Sequence, residues 1–312
     1  MNERERQGFR IRRLYSRLVL FLAACWGVPS HGADGVALVL SEAGGAYAEV
    51  AVEIRHALRA RAQISEVPVQ AVEALAESHP RLIAAIGTKA CRAAADSRTT
   101  IPLLCLLIPR SAYERIAASA RGRAVSGLLL DQPVSRQMAL IRAIIPDPRE
   151  VAVLLGPESA PLARAIAHGA AEQGLRVATT KVADADEIPS ALQSALNDAD
   201  VLLAVPDSGV YNSRTVQNIL RTAFQSKVPL IAFSPAYVKA GALAAVYTTP
   251  AQVGRQGARW ISLHLGGRSL PAVQPPGEFE VMVNRNVARA LGIAIPEEGE
   301  IAERLRKMEP SR

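Results

Sequence analysis

Short apolar runs that alternate with stretches of helical length constrain this chain more than any other feature. From residue 35 onward the runs are GVALVLS (35–41), RLIAAIGT (81–88), PLLCLLIP (102–109), VSGLLL (125–130), VAVLLGP (151–157), RVATTKV (176–182), VLLAVPD (201–207) and VPLIAFS (228–234). Continuous Val, Leu and Ile with little alternation predicts strands covered on both faces, as in parallel sheets packed between helices. The stretches between them carry apolar residues at helical spacing. Val216, Ile219, Leu220, Ala223 and Phe224, after the capping types Asn212 and Ser213, set one stripe toward a sheet. Repeated βα units of this kind specify an α/β class with doubly wound parallel sheets. The core must be aliphatic, since 49% of residues are apolar and only 4% aromatic.

Eight strands fit one wide sheet or two smaller ones, and three breaks favour two. Asp131-Gln132-Pro133 interrupts the chain before a helix with Val134, Met138, Ile141 and Ile145 on one face, and PDP (146–148) closes it. A second break lies in VYTTPAQVGRQG (246–257), ahead of a helix through Trp260. The third, LPAVQPPGEF (270–279), precedes a last strand, FEVMV. Two lobes crossed three times follow. Residues 35–130 and 247–275 are assigned to the first lobe, 131–246 and 276–295 to the second, and 296–312 to a C-terminal tail.

The formal charge of +7 invites a nucleic-acid reading, but its distribution opposes one. Residues 1–33 hold six arginines and two glutamates, a net +4, which leaves 30 basic and 27 acidic residues for the rest. No basic stripe for phosphate remains, so no nucleic-acid partner is expected. The leader has its own logic: a basic segment through Arg17, the apolar LVLFLAACWGV, and small residues in PSHGAD. That is the layout of a cleavable signal peptide over residues 1–33, and the apolar part is too short to span a bilayer. LAAC at 22–25 also matches a lipoprotein box, which would place an acyl anchor on Cys25. Export puts the chain in the periplasm. Cys91 and Cys105 then sit in an oxidising compartment, either as buried thiols or as a disulfide.

In open parallel sheets, ligands bind beyond the carboxyl ends of the strands. The groups found there are Ser41, Glu42, Gly44, Gly45 and Tyr47; Thr88; Arg110 and Tyr113; Asp131 and Gln132; Glu158 and Ser159; Asp207, Ser208 and Tyr211; Ser234 and Tyr237; and Tyr247 with Thr248 and Thr249. Tyrosines 47, 113, 211, 237 and 247 all fall near such ends, and a flat body with a polar tip suits a cleft wall. Asp207 and Ser208 either grip a ligand amine or hydroxyl or support the next helix N-terminus. Catalytic motifs are missing: five histidines are scattered, and there is no G-x-S-x-G, H-E-x-x-H, dinucleotide fingerprint or P-loop. No enzyme activity, cofactor or metal is expected.

From Pro206-Asp207 through KVPLIAF, Ala240-Gly241-Ala242-Leu243 and Gly254-Arg255-Gln256, with Asn284, Ala288, Gly292 and Pro296 in the tail, the chain resembles the substrate-binding components of ABC transporters. The likeness is to a group related to tryptophan and tyrosine binders. It departs from that group at GPESAP (156–161) and IPRSAYE (108–114), so it does not carry an aromatic amino acid over as the ligand. The resemblance implies a type I periplasmic-binding-protein clamshell, with Asp207 facing the cleft and Tyr247 in a crossover. It implies a monomer that captures a small polar or zwitterionic molecule for an ABC permease in the inner membrane, or reports it to a membrane sensor kinase. The expected anchors are Ser41, Glu42, Tyr47 and Thr88 from one lobe, Asp131, Glu158, Asp207, Ser208, Ser234 and Tyr237 from the other, and Tyr247 between them.

Overall fold

The computed structural model describes residues 35–120 and 122–309. The expected signal peptide and the candidate acylation site Cys25 lie outside the described residues. Among the described residues, eleven strands form two sheets. The first contains β1 (Gly35–Leu40), β2 (Gln63–Pro68), β3 (Leu82–Ile86), β4 (Leu103–Ile108) and β5 (Val125–Leu129). Their order is β2-β1-β3-β4-β5, with every pair parallel. The second contains β6 (Glu150–Leu155), β7 (Arg176–Lys181), β8 (Val201–Leu203), β9 (Leu230–Ala232), β10 (Ala244–Tyr247) and β11 (Glu280–Val283). Here the order is β11-β10-β9-β8-β6-β7, and only the β10–β11 pair is antiparallel.

The longer helices are α1 (Gly45–Leu58), α2 (Thr88–Asp96), α3 (Arg110–Ser119), α4 (Val134–Ile144), α5 (Ala163–Glu172), α6 (Ile188–Leu196), α7 (Val216–Gln225), α8 (Pro250–Leu265) and α9 (Glu298–Met308). They cover both faces of each sheet. On the first, Val50, Ile54 and Leu58 of α1 join Val253, Trp260 and Ile261 of α8 on one face. Ala90, Cys91 and Ala94 of α2 join Ala112, Tyr113 and Ile116 of α3 on the other. The second sheet is sandwiched likewise, by α4, α5 and α9 on one face and by α6 and α7 on the other. Each fully buried Leu or Ile contributes about 1.5–3 kcal/mol relative to exposure. That is why the central strands, with no exposed residue, dictate the architecture.

Two strands escape the apolar-run reading of the sequence. β2 reads QISEVP and lies at a sheet edge with its side chains partly or fully exposed, so burial never demanded a hydrophobic run. β10 reads AAVY and is buried through small residues. The second break is also shorter than its glycines suggest. α8 begins at Pro250, behind a capping box in which Thr249 Oγ1 accepts the Gln252 N–H and Gln252 Oε1 accepts the Thr249 N–H. Gly254 belongs inside this helix because a Cβ there would lie 2.5 Å from the Glu53 Cβ, where α8 presses on α1.

The segment set apart as a tail contains α9, whose Ile301, Ala302 and Leu305 are buried in the second lobe's core. Phe224 leaves the stripe of its helix and is 43% exposed. Cys91 and Cys105 form a disulfide that fastens α2 to β4, resolving the two alternatives open in the sequence. The chain passes between the sheets after β5, after β10, and before β11. The third passage first runs along β5: Leu129 N–H donates to Gln274 O at 3.1 Å and Gln274 N–H to Gly127 O at 3.1 Å. No helix among the described residues is long and apolar enough to cross a membrane.

Candidate functional site

In each sheet the strand order reverses once, between β1 and β3 in the first and between β6 and β8 in the second. Loops leaving two such strands diverge to opposite faces and open a crevice at the strand tips. In the second lobe this crevice is braced by two carboxylates. Asp207, after β8, is 3% exposed. It accepts the Ser159 N–H at 2.8 Å, the Ser159 hydroxyl at 2.7 Å and the Gly209 N–H at 3.0 Å. Gly156 makes room for it, since a Cβ there would sit 2.6 Å from both carboxylate oxygens. Glu158, after β6, returns the contact by accepting the Ser208 hydroxyl at 2.8 Å and the Ser208 N–H at 3.1 Å. The loops after β6 and β8 are therefore locked together. The three donors already on Asp207 limit what it can offer a ligand, whereas Glu158 and Ser208 are exposed.

A cavity of about 400 Å³ opens in front of this brace. Thr88, Asp131, Glu158, Asp207, Ser208 and Tyr237 of the expected anchors line it. Ser234 and Tyr247 line an adjoining cavity of about 300 Å³, with Asp131 common to both. The structure does not bring the other three anchors there. Ser41 and Glu42 border a separate hollow against β2, and the Ser41 hydroxyl accepts the Ala90 N–H at 3.0 Å near the start of α2. The Tyr47 ring instead packs on Gly87. Tyr113 likewise turns inward against Gly127 and donates to Val125 O at 3.3 Å.

The first lobe's wall comes mainly from the loop after β4 and the start of α3, through Pro109, Arg110, Ser111, Glu114 and Arg115. Arg110 and Arg115 are cations beside the second lobe's acids, and Arg110 is ion-paired to Glu114 at 3.7 Å. Asp131, half-buried in the first passage, accepts the Arg110 N–H at 2.7 Å and so supports the N-terminus of α3. Burial pushes its carboxyl above the usual aspartate value, with the Arg110 N–H and guanidinium pulling the other way.

Aromatic groups complete the second lobe's side. Phe233 and Tyr237 are half-buried with ring centres 4.7 Å apart, and Tyr211 stands edge-on behind them at 6.1 and 6.4 Å. The Tyr237 hydroxyl donates to Tyr211 O at 3.1 Å. The Tyr211 hydroxyl is buried without a partner, and its pKa is raised by burial and by the neighbouring Tyr237 and Asp207. Tyr247 donates to Glu280 at 3.2 Å, and burial with that carboxylate pushes its phenol up to about 12. Arg110, Arg115 and Phe233 were not among the expected anchors. Arg110 stands at a strand end like the others, but Phe233 lies inside its apolar run and gave no separate signal. Among the described residues no group of His, Cys, Asp and Glu is placed to hold a metal ion.

Two doubly wound lobes with a polar and aromatic crevice at their strand tips define a clamshell binding protein. The sequence model of the ABC transporter substrate binding protein family matches residues 34–302, and the chain belongs to that family. The fold is the type I periplasmic-binding-protein clamshell, as three solved structures show. A ligand-free, open substrate binding protein with adhesive properties from Clostridium difficile is 20% identical, with TM-score 0.70 over 84% of this chain and 96% of that one. An ABC domain in complex with L-Trp from Streptococcus pneumonia is 19% identical, with TM-score 0.61 over 87% and 98%. A conserved domain protein from Vibrio cholerae is 22% identical, with TM-score 0.60 over 86% and 97%. No curated protein matches the chain in sequence.

Proposed function

We propose that this chain is an exported, non-catalytic solute receptor that captures a small polar or zwitterionic molecule between its lobes and delivers it, as a monomer, to an ABC permease in the inner membrane. The observation that carries the reading is the 400 Å³ cavity, with charged, hydrogen-bonding and aromatic groups contributed by both lobes. Its size suits a metabolite of amino-acid or monosaccharide dimensions. Arg110 and Arg115 offer a place for a carboxylate, Glu158 and Asp131 for an amine, and Phe233 with Tyr237 an apolar platform. The L-Trp held by the pneumococcal neighbour is consistent with a zwitterion.

Native mass spectrometry of protein recovered from the periplasm tests this directly. The expected result is a monomer carrying one small molecule, displaced on refolding. A bare chain whose melting midpoint no amino acid, amine or sugar raises would remove the reading.

A further inference from the structure

The three passages between the sheets are tied to one another by a hydrogen-bond relay centred on one side chain. Gln132, next to Asp131 in the first passage, is 7% exposed. Its Nε2 donates to Thr248 Oγ1 at 2.9 Å in the second passage, and that hydroxyl donates to the Glu278 carbonyl at 2.7 Å in the third. In the other direction Gln132 Oε1 accepts from Arg136 Nη1 at 2.6 Å, and the same nitrogen donates to the Pro276 carbonyl at 3.2 Å, again in the third passage. Arg136, on α4 and 1% exposed, is ion-paired to Glu309 just beyond α9, with its guanidinium 4.2 Å from the centre of the Phe279 ring.

The chemistry of the groups fixes the polarity of this relay. Arginine has only donors, so the Gln132 oxygen must face Arg136 and its NH₂ must face Thr248. The Thr248 hydroxyl, having accepted from Gln132, is free to donate to the carbonyl.

We propose that Gln132 is the pin of the interlobe hinge, a positioning residue that sets the balance between lobe arrangements. Lobes joined by three passages rotate only when backbone torsions change in all three. A relay that spans them must move intact or break, and breaking it strands polar groups of the buried Gln132 and Arg136. Gln132 does not line the 400 Å³ cavity but borders the adjoining 300 Å³ one, so its hinge role is read from lobe distances in the unliganded protein, where no solute contact contributes. The inference rests on the receptor reading only in that the lobes must rotate, and its test needs no ligand.

Spin labels at Val52→Cys on α1 and Phe224→Cys on α7, both exposed positions, report the interlobe distance by double electron–electron resonance, with Cys25→Ser removing the leader thiol. Gln132→Glu keeps the Arg136 contact but loses the donor toward Thr248, and Thr248→Val removes the hydroxyl at nearly constant shape. Each is expected to shift the ratio of distance populations about fivefold, the size of one intramolecular hydrogen bond. The double variant is expected to shift it no further than either single one, because both cut the same relay. Distances that stay at the wild-type distribution in both single variants would overturn the proposal, whatever happens to the melting midpoint. A chain that binds no solute would remove the receptor reading while leaving these distances as they are, so the two failures are separable.

Discussion

Asp207 carries two demands that mutation can separate. With Ser159 and Gly209 donating to it, Asp207→Ala leaves the buried Ser159 N–H and hydroxyl without their acceptor, and the expected cost to unfolding stability is about 1–3 kcal/mol. Urea unfolding reads that directly, and an unchanged midpoint would show that the brace is not structural. Tyr211 is the converse case. Its buried hydroxyl already lacks a partner, so Tyr211→Phe should leave the unliganded protein as stable or slightly more so. Calorimetry with the identified solute should then show about tenfold weaker binding if that hydroxyl finds its partner on the ligand. Equal affinity would assign Tyr211 to packing. Asp131 adds a pH dependence. Its folded-state carboxyl binds a proton more tightly than the unfolded one, with burial as the main cause, so stability falls as pH rises from the unfolded value toward the folded one. Asp131→Asn should therefore gain stability relative to wild type across that window and keep the gain at neutral pH. Parallel unfolding curves at acidic and neutral pH check the sign, and a constant difference would refute it.

At the scale of elements, the disulfide makes the sharpest expectation. Cys91 and Cys105 are 14 residues apart, and closing a loop of that length stabilises by about 3 kcal/mol in the chain-entropy account. Both sulfurs are buried, so reductant should act only through the unfolded state. Urea unfolding with and without dithiothreitol should differ by that amount, while the native protein resists reduction. Coinciding curves would mean that the bridge adds nothing. The sequence identified the two thiols and left the bond open, because spacing does not say that α2 packs directly on β4. Strands were legible where burial on both faces forces a continuous apolar run, as in β1, β3, β4 and β6. They were hidden where an edge position or small residues relax that demand, as in β2 and β10. The helix α9 was legible only as a tail, since its three buried positions acquire meaning once α4 lies beneath them.

At the scale of the molecule, the strand-tip residues named as anchors from the second lobe mostly border the cavity, whereas of those named from the first lobe only Thr88 does. Glu158, Asp207 and Ser208 follow adjacent strands at the switch point of their sheet, and adjacency of β6 and β8 is what brings them together. The tips of β1 and β3 have the same local pattern, yet the cavity draws mainly on the tip of β4 and the start of α3. Which tips meet the other lobe depends on how the three passages orient the sheets, and no short motif records that. The same geometry implies a coupled response to solute. A ligand held by Arg110 on one side and Glu158 on the other stabilises the folded chain by about 2.7 kcal/mol at a hundred times its dissociation constant. It is also expected to shorten the distance between lobes, so the melting midpoint should rise and the radius of gyration from small-angle scattering should fall along one titration curve. Binding to a single lobe would raise the midpoint without shrinking the particle. Agreement of the two curves therefore tests whether both walls of the cavity grip the same molecule, and a radius that stays constant at saturation would confine the solute to one of them.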